Sequence, residues 1–191
     1  MKRIGILSSH NGSGFQTIQK ACEENELNAQ VVLVISNNSS AKVLQKAEEK
    51  NIPNFIINSK KYPDLDLDKK IADLMIEFKV DYIFLSGYMK KIEKNLLDNF
   101  ENKIINSHPS LLPNYGGKGM YGINVHKAVI ENGEKKSGCT IHFVNENYDE
   151  GKYILQKEIL LNPKETVQSL EKKIKNLESS SIIDAFKMII K

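Results

Sequence analysis

Short apolar runs alternate with helical patterns along this chain, and that alternation leaves few folds open to it. Ile4 to Leu7 is a continuous apolar run of the kind that fills a buried strand. Phe15, Ile18 and Cys22 then recur at helical spacing after a Gly/Ser turn. Val31 to Ile35 is a β-branched run, hence a second strand. Val43, Leu44 and Ala47 mark a second helix, stopped near Pro53. Phe55 to Ile57 reads as a third strand, and Leu67, Ile71, Leu74 and Phe78 form one face of a third helix. Tyr82 to Leu85 and Lys103 to Ile105 are the fourth and fifth strands. Strands separated by helices pair through right-handed crossovers, which gives a mostly parallel sheet with both faces covered.

The pattern changes in the second half. Val125 to Ile130 is helical and ends near Asn132-Gly133. Two longer strands follow, about Thr140 to Val144 and Tyr153 to Leu160, and the turn from Asn147 to Gly151 predicts an antiparallel pair. A last helix begins within Asn162 to Thr166, where Asn, Pro and Glu supply capping chemistry. Its stripe of Val167, Leu170, Ile174 and Leu177, then Ile182, Ala185 and Ile189, docks it on the body. The expected fold class is α/β, a mostly parallel open sheet of about seven strands with helices on both faces. Its N-terminal half is Rossmann-like, and an antiparallel pair and a long helix close the C-terminus. No internal repeat, low-complexity segment or flexible linker interrupts the chain.

A length of 191 residues fits one domain. With 27 basic and 24 acidic residues the net charge is +3, too balanced to suggest a nucleic-acid partner. Two cysteines, Cys22 and Cys139, stand far apart with no CxxC pattern, so neither a disulfide framework nor a metal site is expected. The apolar run at the N-terminus stops at Ser8-Ser9-His10, too short for a signal peptide or a membrane span. A cytoplasmic protein without a membrane partner is expected.

The chemistry concentrates in Asn106-Ser107-His108-Pro109-Ser110-Leu111-Leu112-Pro113, which follows the fifth strand. In open α/β sheets ligands bind at the carboxyl ends of strands. Residues i and i+2 of a strand share a face, so Asn106 and His108 can aim at one reacting atom. An amide donor beside an imidazole suits a reaction that develops an oxyanion. Ser8 to Gly14 forms a second candidate site, where glycines let the backbone approach a ligand and a helix N-terminus offers N–H groups to a phosphate. A plain turn with Ser13 as N-cap is the alternative there, and the lack of G-x-G-x-x-G disfavours a dinucleotide.

Four motifs together carry a family resemblance. They are Asn11-Gly12-Ser13 after the first strand, Leu85-Ser86-Gly87-Tyr88-Met89, the Asn106 to Pro113 block, and His142-Phe143-Val144 leading to Asp149. In this order the chain resembles the folate-dependent formyltransferases over nearly its whole length, most closely the branch that formylates glycinamide ribonucleotide in purine biosynthesis. The resemblance implies one formyltransferase domain over 1–191, with a nucleotide-binding half over about 1–100 and a folate-binding, catalytic half over about 101–191. It implies 10-formyltetrahydrofolate as cosubstrate, glycinamide ribonucleotide as acceptor, no metal, and a monomer or a homodimer. A deformylase and the methionyl-transfer-RNA formyltransferases share the core. The first strand beginning at residue 2 and the single helix after the last strand favour the ribonucleotide branch over both. A non-catalytic phosphosugar- or folate-binding protein is a further alternative.

The same resemblance assigns residues. Asn106 and His108 stabilise the oxyanion, while Asp149 orients and charges His108 and accepts the amine proton through a water. Asn11, Gly12, Ser13 and Gly14 hold the ribonucleotide's phosphate end, Gly87 and Pro109 border its site, and Glu178 takes the ribose hydroxyls. Met89, Ile92, Leu97, Ile104 and Val144 wall the pterin pocket, to which Lys90 and Asn106 also contribute. The family usually has Gly at His10, Asn at Gly14, Arg at Lys90 and Gly at Glu150, and Glu150 places a second carboxylate beside Asp149. Lys118, in a glycine-dense and lid-like loop, is either solvated or a contact for phosphate or the folate tail. His126 is expected to be structural. His142 faces the side of Thr140 and Val144 and lines the site without a catalytic assignment.

Overall fold

Residues 1–190 are described by a computed structural model. Seven strands and six helices follow one another in the order β1 (Lys2–Leu7), α1 (Ser13–Glu23), β2 (Ala29–Ser36), α2 (Lys42–Glu49), β3 (Asn54–Ile56), α3 (Leu67–Glu77), β4 (Tyr82–Leu85), α4 (Lys94–Asn99), β5 (Ile104–His108), α5 (Ile123–Glu131), β6 (Lys136–Phe143), β7 (Tyr153–Leu160) and α6 (Val167–Ile189). The strands form one sheet in the order β3-β2-β1-β4-β5-β6-β7. β1 pairs in parallel with β2 and with β4, β2 pairs in parallel with β3, and β6 pairs antiparallel with β7. The α/β class, the parallel majority and the antiparallel C-terminal pair are therefore as the sequence pattern predicts. No described helix is long and apolar enough to cross a membrane.

The chain divides into two compact units, Met1–Ile105 with Ile190, and Asn106–Ile189. In the first unit β1 and β2 are central strands and read as near-continuous apolar runs, with Ile4, Ile6, Leu7, Leu33, Val34 and Ile35 fully buried. Gly5 lies under α3, where a Cβ would meet the Met75 sulfur at 2.4 Å. In the second unit α5 and α6 pack through Val125, Val129, Leu170 and Ile174.

Several boundaries differ from the sequence pattern for definable reasons. β5 runs on through His108, so the Asn106-Ser107-His108 stretch is itself strand. The buried face of α3 is Asp68, Ile71, Ala72 and Met75, with Leu67, Leu74 and Phe78 only half-buried. Phe78 instead meets Phe55 edge-on at 6.0 Å. The N-cap of α1 is Gly12, not Ser13; it sits in the left-handed region at φ 67, and a Cβ there would meet Val43 at 2.4 Å. The short helix α4 has no local cap and no sequence signal.

β6 and β7 approach each other closely at Gly138, where an added Cβ would lie 2.0 Å from the Lys157 carbonyl oxygen and 2.5 Å from a Leu111 methyl. Backbone cannot yield as a flexible side chain can. Gly138→Ala is expected to destabilise the protein by about 1–3 kcal/mol, the usual range for overpacking. Urea denaturation checks this, and an unchanged midpoint would contradict the close approach.

Candidate active site

Period-2 alternation along β5 sorts its side chains onto two faces. Asn106 and His108 share one, and Ser107 lies on the other with α6. β6 repeats the arrangement. Cys139 points to α6, where its thiol donates to Ser181 at 3.3 Å, and His142 points to the Asn106 side. The register of β6 against β7 shifts between Ile141 and His142, an irregularity of the kind that re-aims side chains beside functional sites.

His142 is 2 % exposed and its ring orientation is fixed. Nδ1–H donates to the Phe143 carbonyl at 2.8 Å, which leaves Nε2 as acceptor for an Asn106 amide N–H at 3.2 Å. One N–H of Asn106 is thereby held, and its second N–H is directed by the same constraint. The sequence pattern places His142 on the correct face. What it leaves out is this function, the orientation of the Asn106 carboxamide.

His108, 3 % exposed, has acceptors at both ring nitrogens. Nε2–H donates to the Tyr115 carbonyl at 2.7 Å, and Nδ1 lies 3.4 Å from Asp149 Oδ2. A carbonyl on one side and a carboxylate on the other is the surrounding of a doubly protonated imidazole. Direct donation from His108 to a reacting oxygen, as the sequence reading has it, requires Tyr115 to release Nε2.

Asp149 is the hub. Its Oδ2 accepts from the Gly117 N–H at 2.9 Å, and Oδ1 lies 3.6 Å from His142 Nε2. Burial alone would raise the carboxyl's pKa. The contact with His108, the charge of His108 and the Gly117 N–H outweigh it, so the pKa lies well below the usual carboxylate range. The residue adopts φ 60, which an Asp tolerates better than most side chains. Gly151 lets the chain turn here, since a Cβ would lie 1.7 Å from the Phe143 carbonyl oxygen. Glu150 does not crowd Asp149. It is exposed and accepts from Asn147 Nδ2 at 2.8 Å, so Gly151, rather than position 150, is where the loop needs glycine.

The segment after His108 is anchored rather than loose. Thr140 Oγ1 donates to the Ser110 carbonyl at 2.8 Å and accepts from Leu112 N–H at 3.1 Å, and Gln156 Nε2 donates to the Leu112 carbonyl at 3.0 Å. The Leu112–Pro113 peptide is cis. A Cβ on Gly116 would meet Leu112 at 2.6 Å and Asp149 Cβ at 3.3 Å. Glycine is thus required for close packing on Asp149 as well as for turning. Lys118 is exposed. His126 is buried, and burial lowers its pKa, as befits a structural residue.

Glu178 lies on the α6 face of β5. Burial raises its pKa, opposed by the Ser107 hydroxyl and then by Lys175 and His108. Ser107 Oγ itself is buried and closes no hydrogen bond of normal geometry, so it is a polar neighbour rather than a full partner. Pro109, next in the chain, is half-buried.

The first unit holds the other expected residues. Gly12 and Gly14 are buried, and Asn11 and Ser13 are exposed, at the start of α1. Lys46 of α2, absent from the sequence-based list, reaches the Asn11 carbonyl at 2.7 Å and Gln16 Oε1 at 2.8 Å. Gly14 has a packing reason, because a Cβ would meet Phe84 at 2.5 Å. Gly87 adopts φ 68. Of the expected pterin wall, Met89 is exposed and Leu97 half-buried, as is Val144 in the second unit. Ile92 and Ile104 have side chains closed into the core, at 4 % and 0 % exposure. Lys90 is exposed and lines a cavity of about 610 Å³ together with Asn37, Lys60, Asp68 and Tyr88. Burial and then the nearby Asp68 charge push the Tyr88 phenol up to about 12.

A depressed carboxylate pKa is a contribution to stability. For Asp149 that contribution is complete above the unfolded value, 3.8, and is lost as pH falls through the folded value below it. Asp149→Asn is therefore expected to lower the melting temperature at pH 7, with the difference from wild type shrinking as pH falls below about 4. Thermal melts across pH check this, and a pH-independent difference would show that the carboxylate's charge is not what stabilises the loop.

The formyl transferase family model matches residues 2–186. The chain is 36% identical over 185 residues to the chloroplastic phosphoribosylglycinamide formyltransferase of Arabidopsis thaliana, covering 96% of this chain and 63% of that protein. It thus spans less than two thirds of the plant protein's length. It is 36% identical over 179 residues to the phosphoribosylglycinamide formyltransferase of Haemophilus influenzae, covering 93% of this chain and 82% of that one. Among solved structures, glycinamide ribonucleotide transformylase 1 from Symbiobacterium toebii is similar with a TM-score of 0.91 at 32% identity, covering 100% of this chain and 88% of that one. By the extent of the family match, this chain belongs to the formyl transferase family.

Proposed function

We propose that this protein transfers the formyl group of 10-formyltetrahydrofolate to the amine of glycinamide ribonucleotide. The products are formylglycinamide ribonucleotide and tetrahydrofolate, in a step of purine biosynthesis. The observation that carries this reading is the buried Asn106–His142 and His108–Asp149 constellation at the end of β5 in a member of this family. An amine attacking a formyl carbon drives negative charge onto the former carbonyl oxygen. That oxygen calls for preorganised donors, and the second N–H of Asn106 is one. His108, held by Asp149, supplies positive charge and, once Tyr115 yields Nε2, a second donor.

Asp149 has a narrower role than the sequence suggests. A carboxylate whose pKa is held far down is a weak base. It keeps His108 charged and oriented, and the amine proton leaves through water. No covalent enzyme intermediate is required.

The remaining assignments follow the same reading. Asn11, Gly12, Ser13 and Gly14 meet the phosphate with backbone N–H groups at the start of α1, with the Lys46 charge close by. Gly87 and Pro109 border the ribonucleotide, and the recessed Glu178 carboxyl takes the ribose diol. Met89, Leu97 and Val144 offer apolar surface to the pterin, while Lys90 and Ile92 act through their main chain. The chain works as one functional domain, as a monomer or a homodimer, on small molecules. Two free cysteines fit a reducing, cytoplasmic location.

The purified protein should release tetrahydrofolate from 10-formyltetrahydrofolate only when glycinamide ribonucleotide is present, with formylated product detected by mass. Equal release without the ribonucleotide would indicate a hydrolase instead. Asn106→Ala should lower turnover on the order of 100- to 1000-fold, the typical cost of one oxyanion donor. His108→Ala should also lower it severely, and near-normal turnover in either folded variant would remove that residue from the chemistry.

A further inference from the structure

We propose that Asp68 is a positioning residue for the folate-binding segment, fixing the main chain of residues 89–96 from a helix that carries none of the chemistry. This rests on the formyl-transfer reading above. The segment from Ser86 to Glu93 leaves β4 without regular structure, so no ladder or helix sets its path. Beside it lies the cavity of about 610 Å³, lined by Tyr88, Lys90, Lys91 and Glu93 from the segment itself, so close packing does not set its path from that side.

Beside the packing of Ile92, two buried polar side chains hold its main chain. At its start, Ser9 Oγ accepts from the Met89 N–H at 2.8 Å while donating to Asn37 Oδ1. At its end, Asp68 Oδ1 accepts from the Glu93 N–H at 3.0 Å, and Oδ2 accepts from the Leu96 N–H at 3.0 Å. Ser9 is 2 % exposed and Asp68 7 %. Asp68 stands in the first turn of α3, whose own cap is Asp66, and its helix is anchored by Ile71, Ala72 and Met75.

The geometry at Asp68 divides the work of a capping box in an unusual way. In a capping box the N-cap side chain takes the N–H three residues on, and a second side chain reaches back to the N-cap N–H. Here Glu93 is the N-cap of α4 and makes no side-chain cap bond. One carboxylate, 25 residues earlier in sequence, takes both N–H groups. The helix start is therefore capped and tethered to α3 by the same group. Between the Ser9 and Asp68 anchors lie Lys90 and Ile92, whose main chain the formyl-transfer reading assigns to the pterin edge.

Asp68→Ala and the milder Asp68→Asn separate positioning from simple helix capping. Asp68→Ala should raise KM for 10-formyltetrahydrofolate roughly 10-fold, a size in keeping with displaced binding groups, while kcat and KM for the ribonucleotide stay within about twofold. Asp68→Asn, which keeps a single carbonyl acceptor, should fall between. Adding Glu93→Ser to Asp68→Ala supplies a local cap for the Leu96 N–H but no tether. The double variant should regain melting temperature without regaining KM. Recovery of both would show that Asp68 only caps α4 and would overturn the proposal, as would an unchanged folate KM in folded Asp68→Ala or, if that variant does not fold, in Asp68→Asn. A wild-type protein that transfers no formyl group would overturn the formyl-transfer reading, and the proposal with it. Transfer by wild type with unaltered KM in the variants would overturn the proposal alone.

Discussion

The candidate site depends on the strict two-residue period of β5. Asn106 and His108 face one side, and Ser107 between them faces α6. β6 follows the same rule, with His142 beside Asn106 and Cys139 beside Ser181 of α6. A slip of one residue would exchange the two sets and turn Asn106 and His108 toward the helix. Register is strongly specified where a face is buried, and here both faces are. The sheet therefore acts as a positioning device, and the shift at Ile141/His142 is a local adjustment within it.

Asp149 extends that order into the loops. An ionised carboxylate that is largely buried is tolerable only when donors surround it. The Gly117 N–H and the His108 imidazole provide them. Gly116, Gly117 and Gly151 make such close contacts sterically available. The glycine density after Tyr115 looks from sequence like a mobile lid. Its contacts with Asp149 give glycine a second cause there.

Much of this was readable in the chain because its causes are local. Apolar runs gave the strands, helical spacing gave α1, α2 and α6, and alternation put His142 on the right face. The features that escaped have partners far away in sequence. α4 lacks its own cap and is completed by Asp68, so no local signal marks it. The function of His142 depends on a hydrogen bond from Asn106, 36 residues earlier. Lys46 is an ordinary helix lysine until the fold brings it to Asn11. Ile104 belongs to a pocket wall by analogy, and its full burial in β5 comes only from the packed sheet. Family motifs point to candidate residues, while burial and tautomer, which set what each residue can do, come from the packed structure.

A common principle links the irregular segments. Each is fixed by a buried polar side chain that satisfies loop main-chain groups: Ser8 to the Ser86 carbonyl, Ser9 to the Met89 N–H, Asp68 to Glu93 and Leu96, and Thr140 to Ser110 and Leu112. Such a bond contributes only about 1 kcal/mol net, but a buried backbone group left without a partner costs about 1–3 kcal/mol. Main-chain positions are therefore held independently of the loop side chains. That independence accounts for where the chain departs from its family. His10, Lys90 and Glu150 all have solvent-exposed side chains and leave the main-chain bonds intact. Gly14 is the departure with a steric cause, since Phe84 occupies the space a larger residue would need. Variation is tolerated at loop surfaces because the loops' paths are set by the anchors beneath them.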